Sequence, residues 1–208
     1  GQDTTTSMGV KAATIAIERS GVAKEDIDFV VFATLSPDYY FPGPGVLVQR
    51  DLGLRTVGAL DVRNQCSGFV YAISIADQYI KTGMYKNILV IGSEVHSTGL
   101  DMSDKGRGVS VIFGDGAGAA ILTREEDLTK GILSTHIHSE GKHALELATE
   151  APGMGTRWVT DIIRDNDPED FSYHPYMNGQ FVFKHAIKRF SEVIGEGLQK
   201  NNLEVSDI

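Results

Sequence analysis

The 208 residues contain one thiol, Cys66. A lone cysteine can neither close an intrachain disulfide nor build a multi-cysteine metal site, which leaves a buried structural thiol or a reactive one. The run Val57-Gly58-Ala59-Leu60-Asp61-Val62 reads as a buried strand, and Phe69, Ala72, Ile73, Ala76 and Ile80 mark one helical face over 67–81. Cys66 falls in the turn between them, four residues past the strand and immediately before the helix. This is the strand–turn–helix elbow that presents a nucleophile at the C-terminal end of a sheet. The free N–H groups and partial positive charge of a helix N-terminus favour thiolate over thiol, and they can hold the oxyanion formed when a thioester is attacked. Ser67 and Gly68 are small enough to let an acyl group approach. A small buried hydrophobe is the other common fate of a lone cysteine, and the pattern alone leaves both open.

The other polar candidates are weaker. Six histidines occur, and His136 and His138 share one face of an expected strand over 131–138, an arrangement more usual for a polar edge than for a metal site. No metal site is expected. Gly114, Gly116 and Gly118 lack dinucleotide spacing, and Gly114-Asp115-Gly116 lies between the apolar runs 109–113 and 117–122, which predicts a β-hairpin.

The elements that position these residues alternate. Met8, Ala12, Ile15, Ala16 and Arg19 predict a helix over 6–20 stopped by Gly21, followed by a strand within 27–33 buried on both faces. Pro37, Pro42 and Pro44 make 35–45 a loop before a short helix at about 46–52. Lys81 and Gly83 end the helix after Cys66, and 87–92 is another central strand. Residues 139–175, with Pro152, Pro168 and Pro175, read as a long loop. A final helix over about 178–200 carries Phe183, Ile187, Phe190, Ile194 and Leu198 on one face. Helices alternating with buried strands define an α/β protein with a mostly parallel sheet.

The net charge of −9 argues against nucleic acid, whose phosphates need a basic face. No stretch reaches the roughly 18–20 apolar residues of a membrane helix. The N-terminus has neither the basic nor the apolar stretch of a signal peptide, so a cytoplasmic location is expected.

Several stretches together resemble the 3-oxoacyl-acyl-carrier-protein synthase III family of the thiolase-like superfamily. They are Ser7-Met8-Gly9 with Ala12-Ala13, Asp61-Val62 through Gln65-Cys66-Ser67-Gly68-Phe69, Ala76-Asp77-Gln78-Tyr79, Gly92-Ser93-Glu94-Val95, Phe113-Gly114-Asp115-Gly116-Ala117-Gly118-Ala119-Ala120, Ser134-Thr135-His136, Phe183-Lys184 and Asn201-Asn202-Leu203. The resemblance implies layered, mostly parallel mixed sheets. Residues 1–125 would form the nucleophile-bearing half, lacking its first strand, and 126–208 the start of the second half. It implies that Cys66 accepts an acyl group from acyl-coenzyme A and that malonyl-acyl-carrier-protein then condenses with it, initiating fatty-acid synthesis with no cofactor.

The same resemblance places Phe41 in a partner subunit's acyl pocket, hence a homodimer, and Arg107 against the coenzyme A nucleotide. Phe113, Met177, Gln180 and Phe183 would line the acyl and pantetheine tunnel, although core packing accounts for such residues equally well. The family's Pro-His-Gln-Ala-Asn and Gly-Asn-Thr-Ser-type motifs do not occur in these residues. The expectation is therefore an incomplete copy of the fold that does not complete the condensation alone. The competing readings are a long-chain or secondary-metabolite condensing enzyme and a non-catalytic acyl- or coenzyme-A-binding subunit.

Overall fold

A computed structural model describes residues 3–127, 129–165, 167 and 172–208. Pro168 of the expected loop lies outside them. The chain forms two compact units, one of Gly1–Val95 with Asp115–Ile137, the other of His96–Gly114 with His138–Ile208.

In the first unit, helix α1 (Thr5–Ser20) opens with a capping box: the Thr4 side chain accepts from Ser7 N–H, and the Ser7 hydroxyl accepts from Thr4 N–H. It stops at Gly21, whose φ of 71° suits glycine. Strand β1 (Phe29–Ala33) follows, then helix α2 (Pro44–Asp51), strand β2 (Gly58–Val62), helix α3 (Gly68–Lys81), strand β3 (Asn87–Glu94) and strand β4 (Gly116–Thr123). The sheet order is β2-β1-β3-β4. β1 is parallel to both neighbours, and β4 closes the edge antiparallel to β3. The α/β class with a parallel-dominated sheet is borne out.

β1 is buried at every position because both of its faces are covered. Val30 and Phe32 face a core shared with Ala13 of α1, Val48 of α2, and Leu89 and Ile91 of β3. Phe29, Val31 and Ala33 face Ala72, Ala76 and Ile80 of α3 with Ile88 and Val90. Gly9 is obligatory for the first packing: a Cβ there would lie 2.8 Å from Phe32 Cε2.

Two strand expectations fail. Residues 109–113 do not pair with β4, because the chain is helical over Arg107–Ser110 and β4 takes β3 as its partner along eight residues. Neither Gly114 nor Gly116 has the positive φ that a tight hairpin turn demands. Residues 131–138 form no strand, since they have no ladder partner among the described residues, and strands exist only as pairs. Instead, Ile132 O accepts from Lys81 Nζ at 3.2 Å and the Thr135 hydroxyl lies 3.1 Å from that of Ser74, tying the segment to α3.

The second unit carries α4 (Arg107–Ser110), β5 (Leu147–Ala148), α5 (Val159–Asp165), β6 (Tyr176–Met177) and the long α6 (Gly179–Asn201). The segment expected as an unbroken loop thus holds a 3-10 turn at Gly141–Glu146, half of a two-stranded ladder and a short helix. Asn178 caps α6 by accepting from Phe181 N–H, and its Nδ2 donates to Glu146 Oε2 at 2.9 Å. No described helix is long and apolar enough to cross a membrane.

Candidate active site

Two close approaches fix the turn that carries Cys66. Gly68, the first residue of α3, sits so near the end of β1 that a Cβ would lie 3.3 Å from Ala33 Cβ. One residue on, Phe69 packs over Gly92 of β3. The helix start is therefore pinned over the C-terminal ends of β1 and β3, and Gln65–Ser67 must turn sharply to reach it from β2. Ser67 N–H donates back to the Gln65 carbonyl, and its hydroxyl donates to the same oxygen at 3.0 Å. The apex is Cys66 itself, held at φ 33°, a backbone region that residues other than glycine rarely adopt. Strain of this kind persists where surrounding structure over-determines it, as at nucleophile elbows. Cys66 is exposed, so the alternative of a buried structural thiol falls away.

Because the Ser67 side chain turns back to Gln65, it does not cap α3. An exposed thiol in the turn that leads into a helix suits attack on a thioester carbonyl, and the uncapped N–H groups of a helix start are the kind of donor such an oxyanion needs.

The remaining expected site residues divide between the units. Phe41, in the first, follows β1 and is 82% exposed. The second unit holds the other five. Arg107 opens α4, which packs against β6, the strand that contains Met177. Phe113 has its ring 5.3 Å from that of His96. Gln180 and Phe183 stand exposed on the first turns of α6. His136 and His138, without the expected strand, do not share a strand face; His138 Nε2 lies 2.7 Å from Glu196 Oε2.

Sequence reasoning quoted two acidic groups within motifs and gave neither a role. Asp61, in β2, lies along an exposed edge, yet its carboxylate is tucked against Gly43 and Gly45 and accepts Gly45 N–H at 2.7 Å. Desolvation pushes its carboxyl above the usual carboxylate range, against the opposing pull of the Gly45 bond. Glu94, at the end of β3, accepts from Leu35 N–H and from the Ser36 hydroxyl, both at 2.6 Å. A cavity of about 310 Å³ in the second unit was equally unforeseen. Its walls include His143, Leu147, Phe181 and His185, and the Phe181 and His185 rings stack at 3.8 Å.

Residues 60–141 match the model of the family described as 3-oxoacyl-[acyl-carrier-protein (ACP)] synthase III. Over 98% of its length the chain is 42% identical to a beta-ketoacyl-[acyl-carrier-protein] synthase III of Sulfurimonas denitrificans, of which it covers 60%. Among solved structures, the 3-oxoacyl-[acyl-carrier-protein] synthase III of Aquifex aeolicus superposes with a TM-score of 0.84 at 35% identity, covering 98% of this chain and 59% of that one. The Pseudomonas aeruginosa enzyme of the same name gives 0.85 at 27% identity, covering 100% and 59%. The chain thus spans about three-fifths of the length of the relatives it matches. The family resemblance read from the motifs is borne out in sequence and in fold.

Proposed function

We propose, for a chain that follows the sequence and fold of the 3-oxoacyl-acyl-carrier-protein synthase III family along about three-fifths of that family's length, that Cys66 is the nucleophile of an acyl transfer. The observation that carries this reading is the exposed thiol at a strained backbone position between β2 and α3. The Cys66 sulfur attacks the thioester carbonyl of an acyl-coenzyme A, and a new carbon–sulfur bond forms. The bond to the coenzyme A sulfur breaks, and coenzyme A leaves as its thiolate. Backbone N–H groups at the start of α3 steady the oxyanion between the two steps.

In the whole protein the acyl-enzyme then condenses with malonyl-acyl-carrier-protein, releasing carbon dioxide and a 3-oxoacyl product and so initiating fatty-acid synthesis. Residues 1–125 serve as the nucleophile-bearing half and 126–208 as the start of the second. Arg107 binds the coenzyme A nucleotide, and Phe113, Met177, Gln180 and Phe183 line the path of the acyl and pantetheine chains. Phe41 reaches the acyl pocket of a second copy in a homodimer. The reaction draws on no cofactor, and the enzyme works in the cytoplasm. The family's histidine and asparagine motifs for the malonyl step do not occur in these 208 residues, so the half-reaction assigned to them is acylation.

Alkylation of Cys66 by iodoacetamide, followed with and without acetyl-coenzyme A, tests the assignment. Rapid alkylation suppressed by the acyl donor is expected. Slow alkylation indifferent to the donor would favour a non-catalytic binding subunit.

A further inference from the structure

The loop between β1 and α2 is gripped at both ends, and its middle is exposed. At its start, Glu94 accepts Leu35 N–H through Oε1 and the Ser36 hydroxyl through Oε2, while the Ser36 oxygen accepts Val95 N–H at 2.9 Å. The Ser36 carbonyl accepts the Thr5 hydroxyl at 2.5 Å. Two residues on, Asp38 takes Thr6 N–H at 2.9 Å on Oδ1 and the Thr4 hydroxyl at 2.8 Å on Oδ2. At the far end, Asp61 holds Gly45 N–H, and a side chain at Gly43 would overlap its carboxylate.

Between these anchors the exposure climbs, 58% at Tyr39, 72% at Tyr40 and 82% at Phe41, then returns to buried Pro44 and Gly45. Three large aromatic rings in sequence are costly to hold toward water, and an unanchored loop would fold them back onto apolar surface. Charge-assisted bonds from carboxylates to backbone N–H groups are among the stronger restraints a loop can have. We propose that Glu94, Ser36, Asp38 and Asp61 are positioning residues, a two-ended clamp that holds Tyr39-Tyr40-Phe41 outward for insertion into a partner copy. This deepens the reading of Phe41 given above and rests on it. Preorganising the tip removes the cost of ordering it when the partner arrives.

The test compares the unaltered chain with Glu94→Ala, Glu94→Gln and Ser36→Ala. Two quantities are followed under native conditions: chymotryptic cleavage after Tyr39 and Tyr40, and amide exchange at Leu35 and Val95, with the amides of β1 and β3 as core reporters. Slow cleavage is expected for the unaltered chain. Glu94→Ala should be cut about tenfold faster with the core amides unmoved. Glu94→Gln, which keeps an acceptor for Leu35 N–H, should recover to within about threefold of the unaltered chain.

Equal cleavage of Glu94→Ala and the unaltered chain would overturn the clamp. So would fast cleavage of the unaltered chain, or a loss of core protection in step with the loop. Should Glu94→Ala fail to fold, Ser36→Ala decides, since it removes the hydroxyl bridge and leaves the carboxylate on Leu35. Acceleration localised to the loop supports the proposal, and none overturns it. Cleavage is followed over a range of chain concentrations: protection by the clamp does not change with concentration and protection by a second copy does, so a failed clamp and a failed dimer are separable results.

Discussion

β1 and α6 are both strongly apolar in pattern, and they meet opposite fates. Every residue of β1 is buried, with α1 and α2 over one face and α3 over the other. On α6, by contrast, Phe183, Ile187, Phe190 and Ile194 recur at helical spacing and each is more than half exposed. Periodicity decides what element a segment forms, and neighbours decide whether its apolar face is covered. The residues that bury β1 all lie within the first unit.

Truncation should expose this difference most sharply at Phe32, fully buried between Gly9 and the strands. Phe32→Ala is expected to cost about 3–5 kcal/mol in urea unfolding, the usual range for deleting a buried ring. A loss below about 1 kcal/mol would mean that the first core is looser than its packing indicates.

Charge effects are smaller. Glu140 is held to a pKa of about 2, below its ordinary 4.5, by Lys142 foremost and then Arg189 of α6. A depressed carboxyl contributes stability that is present above pH 4.5 and lost as the pH falls toward about 2. Glu140→Gln should therefore flatten the acid limb of Tm against pH and leave little change at neutrality. Because the group is partly exposed, 1 M salt should erase much of the difference. An unchanged acid limb would show that the tie between the Gly141–Glu146 turn and α6 contributes nothing.

Asp61 carries the opposite sign. Its raised pKa means that the folded chain binds the proton more tightly, so stability falls as the pH rises from 3.8 through the raised value. Asp61→Asn keeps an oxygen for Gly45 N–H and should give a small gain in Tm at pH 7 that vanishes below pH 3.8. A loss at pH 7 would instead show that the charge itself is needed at the loop anchor. Smallest of all should be Phe190→Ala, within about 0.5 kcal/mol of the unaltered chain, as for exposed sites generally. A cost like that of Phe32→Ala would mean that this face of α6 is covered in solution.

The contrast also explains what could be read in advance. Helix ends at Gly21 and Gly83 were legible because a positive φ, 71° and 76°, selects glycine locally. The Cys66 elbow was legible for the same reason: strand, turn and helix are consecutive in the chain. The hairpin over 109–122 was misread because β4 chose its partner by tertiary register, and an apolar run about the Asp-Gly pair carried no trace of that choice. The grip of Glu94 on Leu35 and Ser36 spans 59 and 58 positions, a distance at which an acidic residue and a proline-rich loop carry no mutual signal. Phe41 was marked by the family resemblance, while the groups that hold its loop became visible only with the fold.

The central claim is that Cys66 accepts an acyl group, and intact mass tests it most directly. The 208-residue chain is weighed before and after exposure to acetyl- and longer acyl-coenzyme A, beside Cys66→Ala. An acyl increment on the unaltered chain that is absent from the variant is predicted. An equal increment on both, or none on the folded unaltered chain, would contradict it.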